Sequence, residues 1–264
     1  MRIPFVQVDA FADRPFSGNP AAVMTLDHWL ADDILQAIAA ENNLAETAFL
    51  VPSAGDDADY ELRWFTPAVE IALCGHATLA SGHVLLSGAP GHGQVRFATR
   101  QAGVLEVSRD GDGYLLALPA WTVEARALPD IAAAIGGEPI ETHWRDGGYA
   151  ILLYKSEADI RALTPDFRKL GSLGDILYIA TAPGDRTDIV SRVFAPGAGI
   201  DEDPVTGSAH CLLTAFWAAR LGRNDFTAFQ ASARGGHLGC KLVGDRAILS
   251  GKCVTVIEGD FTLP

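Results

Sequence analysis

Apolar and polar positions alternate, or β-branched and aromatic residues cluster, along Val6 to Phe11, Thr47 to Val51, Tyr60 to Phe65, Gln94 to Phe97, Val104 to Ser108 and Tyr114 to Leu118. With Gly and Asp turns between them, these runs predict strands. Asp33 to Asn42 and Asp130 to Ile135 carry their apolar positions at helical spacing and predict amphipathic surface helices. Two other segments break that pattern. His76 to Leu86 and Ser208 to Leu221 are rich in Ala, Leu, Val and Trp on more than one face, and a helix apolar most of the way round is a buried one.

The chain also resembles itself. Glu46 to Pro67 lies over Asp175 to Pro196 without a gap at a constant offset of 129, with Gly55/Gly184, Asp56/Asp185, Asp59/Asp188, Arg63/Arg192, Phe65/Phe194 and Pro67/Pro196 identical. After three extra residues in the second half Ala77 matches Ala209, and Gly103 and Leu105 match Gly236 and Leu238 at an offset of 133. Common turn chemistry explains a shared Gly-Asp, but not an Arg-x-Phe-x-Pro followed both times by a glycine that opens an apolar helix. Duplication predicts an α+β protein of two pseudo-symmetric halves, each a short sheet wrapped round one buried helix. The expected halves are residues 1–118, with the central helix near 76–87, and 119–264, with the central helix near 207–221. Whether the last strand, Lys252 to Glu258, completes the second half or returns to the first stays open. A cleft between such halves is the natural place for a site.

Length and composition agree with this. The 264 residues, 48% hydrophobic and 20% charged, are enough for a core and exclude disorder. A formal charge of −13 repels phosphate backbones and anionic membrane faces, which argues against a nucleic-acid or membrane partner. The N-terminus reads as a strand rather than a signal peptide, no apolar run reaches the length of a membrane span, and a cytoplasmic protein is expected. Cys74, Cys211, Cys240 and Cys253 form no Cys-x-x-Cys pair and are expected as reduced thiols.

Chemistry concentrates where the two buried helices begin: Cys74-Gly75-His76-Ala77-Thr78, and Asp201-Glu202-Asp203-Pro204-Val205-Thr206-Gly207-Ser208-Ala209. Glycine at a helix start lets a ligand approach N–H groups that lack an intrahelical partner, and the helix dipole favours an anion there. Plain capping by Thr206 or Ser208 explains one such start; the matched pair points to a site that grips a carboxylate. Glu46 alone reads as a solvated turn charge and His76 alone as a satisfied histidine. No phosphate loop, dinucleotide fingerprint, zinc-protease motif or serine-hydrolase elbow is present in the sequence, so neither a metal nor an organic cofactor is implied.

At these residues the sequence resembles the phenazine-biosynthesis PhzF-like isomerase family, within the diaminopimelate epimerase and proline racemase fold. The resemblance spans nearly the whole chain and implies two pseudo-symmetric barrel-like halves, each a β-sheet rolled round a central buried helix. It rests on Asp9-Ala10-Phe11 with Phe16-Ser17-Gly18-Asn19-Pro20, on Asn43-Leu44-Ala45-Glu46-Thr47, on Phe65-Thr66-Pro67 with Gly75-His76-Ala77-Thr78, and on Phe194-Ala195-Pro196 with Asp201 to Ala209. It implies a homodimer working without metal or cofactor on a small carboxylate, with Glu46 as the acid/base at carbon and His76 and Asp203 as proton-transfer or orienting groups. Asn19, Gly75, Ala77, Gly207 and Ser208 are the implied substrate-binding positions. A carboxyl shielded from water can remove a proton and return it elsewhere, as an isomerisation needs.

The racemases of the wider fold instead place one cysteine at the start of each central helix. Here the first is Cys74 and the matching second position is read as Val205, which carries no proton, so a two-thiol mechanism is disfavoured and Cys74 is expected as a small buried hydrophobe. A binding protein for small acids, and more remotely an epimerase, are the other readings.

Overall fold

The structure, a computed structural model, is described for residues 1–263. One unit comprises residues 1–118 and 248–263, the other residues 119–247. Unit 1 runs β1 (Arg2–Ala10), β2 (Asn19–Thr25), α1 (Asp32–Asn42), β3 (Glu46–Pro52), β4 (Tyr60–Phe65), β5 (Glu70–Ile71), α2 (Gly75–Gly88), β6 (Gln94–Thr99), β7 (Val104–Asp110) and β8 (Gly113–Pro119). Unit 2 runs β9 (Glu124–Ala125), α3 (Pro129–Ile135), β10 (Glu141–Arg145), β11 (Tyr149–Leu153), α4 (Glu157–Ala162), α5 (Phe167–Ser172), β12 (Leu177–Pro183), β13 (Ile189–Ala195), β14 (Ile200–Asp203), α6 (Gly207–Leu221), β15 (Asp225–Gln230) and β16 (Gly236–Val243). β17 (Arg246–Gly251) carries the chain back, and β18 (Cys253–Thr262) ends it.

The pairings repeat one for one. In unit 1, β1 is antiparallel to β2, β2 parallel to β3, β3 antiparallel to β4, β4 antiparallel to β5 and parallel to β6, and β6 antiparallel to β7. In unit 2 the same six relations join β10, β11, β12, β13, β14, β15 and β16. Parallel neighbours need a crossover long enough to hold a helix, and that is where α1 and α2, and then α4 to α6, are inserted. The fold is α+β, each unit a sheet rolled round a central buried helix.

Two expectations need adjustment. The ungapped offset of 129 holds for β4 and β13, but Arg63 faces Phe49 while Arg192 faces Ala180, so β12 sits two residues out of that alignment. The turn before β13 is shorter, and the shared Gly-Asp hides the gap. The last strand belongs with unit 1 rather than with the expected half 119–264: β18 pairs antiparallel with β1 from Arg2↔Thr262 to Ala10↔Cys253. It supplies the ladder partner that β1 needs on the side away from β2.

Burial accounts for the two unusual helices. α2 packs on β1, β2, β3, β6, β7 and β18, and Gly82 is what lets it seat, since a Cβ there would lie 2.3 Å from Val107. Most of α6 is buried as well. α1, by contrast, buries one face, Leu35 and Ile38, in a cluster with Phe49 and Phe65. No helix of the described residues is long and apolar enough to cross a membrane.

The recurrent Arg-x-Phe has a structural reason. The Arg63 guanidinium lies 5.0 Å from the Phe65 ring and forks onto Glu70 of β5 at 2.8 and 2.7 Å, with Asp32 at 2.9 Å. Arg192 lies 5.0 Å from Phe194 and forks onto Glu202 of β14 at 2.7 and 2.9 Å. A bidentate fork fixes orientation as well as distance. In each unit it ties down the short strand from which the chain enters the buried helix.

Candidate active site

Glu46 opens β3. α1 ends with Asn43 in the left-handed region at φ 49°, its N–H bonded to the Ala39 carbonyl. The Asn42 amide then donates to the Thr47 hydroxyl at 3.0 Å, fixing the turn on which Glu46 sits. Asn19 opens β2 opposite Ala10, at a turn that requires Gly18: its φ is +65° and a Cβ would lie 2.2 Å from the Ala10 carbonyl oxygen. His76 stands in the first turn of α2, after Cys74 at the N-cap and Gly75.

These elements bring four side chains together. His76 Nε2 lies 2.9 Å from Glu46 Oε2, off the line of a good hydrogen bond, in a contact whose side chains are 4% and 10% exposed. On the other side of the ring, Nδ1 lies 3.1 Å from the Asn19 amide and 3.5 Å from Cys74 Sγ. Burial alone would pull the His76 pKa down, but Cys74 and the Glu46 carboxylate carry it well above its ordinary 6.5. Burial, and next the Glu46 charge, push the Cys74 thiol up. A thiol that holds its proton is no counter-charge, so the charge that stabilises the imidazolium is assigned to Glu46.

Glu46, Cys74 and His76 could also act as donors to a cation, since one ligand atom from each lies within 4.8 Å of the others. As the side chains stand, the nearest contacts to Glu46 and Cys74 run from opposite ring nitrogens. The arrangement suits the sharing of a proton.

Unit 2 presents a different set. Asp203 ends β14, Thr206 is the N-cap of α6, and Gly207 and Ser208 begin its first turn. The Thr206 side chain does not cap its helix; it donates to Asp203 Oδ2 instead, which replaces the expected capping role. Matching the N-caps and the following glycines pairs Cys74 with Thr206, so the counterpart of Cys74 is Thr206 and not Val205, which precedes the cap. A threonine hydroxyl stands where a second thiol would be. Gln230, at the end of β15, bonds to both Asp203 and Thr206, and the Tyr149 hydroxyl bonds to Ser208. Sequence reasoning missed both. For Gln230 the signal was its alternation with Phe226 and Ala228, which places an amide on the inward face of a strand.

The sites thus predicted fall into two groups. Asn19, Glu46, Gly75, His76 and Ala77 belong to unit 1, and Asp203, Gly207 and Ser208 to unit 2. A duplicated sheet-and-helix scaffold with a buried carboxylate–imidazole contact at a helix start defines a protein of the epimerase and racemase fold group. The family model for phenazine biosynthesis-like proteins, PhzC-PhzF, matches residues 8–259, and the chain belongs to that family. It is 47% identical to an uncharacterized isomerase of Pseudomonas aeruginosa, with all of both chains covered. A crystal structure of a PhzF-family protein from Enterococcus faecalis superposes with a TM-score of 0.91 at 40% identity, again over all of both chains. A hydroxyproline epimerase from Agrobacterium vitis shares the fold at a TM-score of 0.59 and 14% identity, with 98% of this chain and 92% of that one covered.

Proposed function

We propose that this protein, like the relatives named isomerases, is an isomerase, and that it shifts a proton, and with it a double bond, on a small carboxylated, cyclic substrate without a cofactor. The observation that carries this reading is the 2.9 Å contact of Glu46 with His76, both buried. Glu46 is the general acid/base that takes the proton from one carbon and returns it to the position that gains one. His76, its charge held by Glu46, assists in proton transfer or orientation. Asp203 assists in transfer or orientation, and Asn19 with the helix starts at Gly75–Ala77 and Gly207–Ser208 binds the substrate's polar groups. The protein is expected to work as a homodimer.

The test is proton NMR in deuterated water with a panel of cyclic and amino-acid carboxylates, comparing the native chain with Glu46→Gln. Deuterium entering at carbon, and lost in the variant, supports the proposal. Full exchange by Glu46→Gln would sink it, and tight binding of a compound without any exchange would favour a binding protein for small acids. Loss of optical activity abolished by Cys74→Ser would instead point to an epimerase.

A further inference from the structure

The segment from Asp203 to Thr206 carries the chain from β14 into α6, and one side chain from β15 meets it three times. The Gln230 amide oxygen accepts from the Thr206 N–H at 3.0 Å, and its nitrogen donates to the Asp203 carbonyl at 2.7 Å and to Thr206 Oγ1 at 3.1 Å. The Thr206 hydroxyl donates in turn to Asp203 Oδ2. A hydroxyl has one proton to give. With Gln230 donating to its oxygen, that proton is directed at the carboxylate. Gln230 is fully buried, so leaving its amide unbonded would be costly and the geometry is held. Ser232, just beyond, donates to the Pro204 carbonyl at 2.8 Å.

The duplication supplies an internal control. Ser191 faces Gln230 in unit 2, and its counterpart Leu62 faces Thr99 in unit 1. Thr99 closes its own turn, donating to the Gly103 carbonyl at 2.8 Å and accepting from the Ala102 N–H at 2.9 Å. The turn after Gln230 runs over 231–235, against 100–102 after Thr99. The same scaffold position is therefore a local turn former in one unit and a buried amide with an enlarged loop in the other.

We infer that Gln230 is the positioning residue for the Asp203 carboxylate, a buried amide that fixes Thr206 as the hydrogen-bond donor to it. This rests on the reading of Asp203 as part of the site, yet it can be tested without a substrate. Carbon-13 NMR of the full chain labelled in its aspartate carboxyls, with the signal assigned by Asp203→Asn, reads the titration of Asp203. A carboxylate that loses a donated hydrogen bond binds its proton more readily, so Gln230→Leu and Thr206→Val each raise the midpoint by about one pH unit. The double variant moves it no further, and Thr206→Ser, which keeps the hydroxyl, leaves it at the native position. Glu202, next to Asp203 in sequence and paired with Arg192 at 2.7 Å, is unaltered throughout.

An unchanged midpoint in Thr206→Val overturns the inference, even where Gln230→Leu fails to fold, and so does an additive shift in the double variant. The proposed function fails separately. If the midpoint moves as stated while Asp203→Asn exchanges deuterium like the native chain, Gln230 positions Asp203 but Asp203 takes no part in the chemistry.

Discussion

Where α2 begins, the chain sets a carboxylate against a histidine; where α6 begins, it sets a hydroxyl and an amide against an aspartate. The surroundings are the same in both: an arginine fork on the preceding short strand, an N-cap residue whose side chain does not cap, and a glycine opening a buried helix. Duplication preserved what holds the backbone, and the polar side chains around the helix starts diverged. In unit 1 these are Glu46, Cys74 and His76; in unit 2, the N-cap and the residue after its glycine are Thr206 and Ser208, with Asp203 on the strand before them. One unit is built to carry charge that can change, and the other to hold one carboxylate in place.

The largest expected effect breaks that contrast at its chemical end. Loss of a positioned acid/base typically costs 10²- to 10⁴-fold in rate, so Glu46→Gln is expected to slow deuterium exchange by roughly that factor. Thr206→Val, which removes a donor to Asp203 but no proton carrier, is expected to slow it by about tenfold, the scale of one hydrogen bond to a charged group. Equal losses in the two variants would remove the distinction between the helix starts.

Each buried helix also carries a histidine in or just after its first turn, and the two are expected to respond to pH in opposite directions. His210 is fully buried with Nδ1 2.8 Å from the Thr206 carbonyl, and burial lowers its pKa from 6.5 to about 4. Its folded pKa lies below the unfolded value, so its contribution is present above pH 6.5 and is lost as pH falls toward 4, by about 3 kcal/mol. His76 is shifted the other way. Its contribution is complete below 6.5 and is lost as pH rises through its raised folded pKa. Thermal unfolding across pH resolves the two: His210→Gln should remove the acid-side loss, and Glu46→Gln the alkaline one. An alkaline loss that persists in Glu46→Gln would show that Glu46 is not the counter-charge.

Much of this was legible in the sequence. The period-two runs, the two helices apolar all round and the recurrence of Arg-x-Phe-x-Pro specify the duplicated α+β fold, because burial pattern and repeated packing are written residue by residue. Glu46, His76 and Asp203 stood out through the motifs of the family resemblance, whereas the contact of Asn19 and Glu46 with opposite sides of one imidazole depends on a turn at Gly18 and a strand start at Glu46 far apart in the chain. Gln230 was illegible for a similar reason: alternation shows which way a strand residue points, but not that a loop of another element crosses there. The offset of 129 failed for β12 because a turn can shorten by two residues while keeping its Gly-Asp. The last strand could not be assigned, since nothing in Cys253 to Thr262 says which open strand edge it completes.

The smallest effects concern the shared forks, and they test whether the scaffold is as equivalent as the chemistry is not. Glu70→Gln leaves Arg63, 3% exposed, with Asp32 as its remaining carboxylate, and Asp32 lies in solvent. Breaking a buried pair from one side costs 3 to 5 kcal/mol, and partial exposure of Glu70 reduces this to about 2 kcal/mol. The fork from Arg63 holds the Glu70 carboxyl below its usual range, so the contribution is present at neutral pH and is lost as pH falls through that lowered value. Arg192 is better provided for. Without Glu202 its Nη1 still donates to the Leu163 carbonyl at 2.9 Å and lies 3.3 Å from that of Ile160, so Glu202→Gln is expected to cost about 1 kcal/mol. Urea unfolding of both variants decides it. A cost for Glu202→Gln equal to or above that for Glu70→Gln would mean that the backbone carbonyls of unit 2 do not substitute for a carboxylate, and that the two forks carry the same load despite their different second partners.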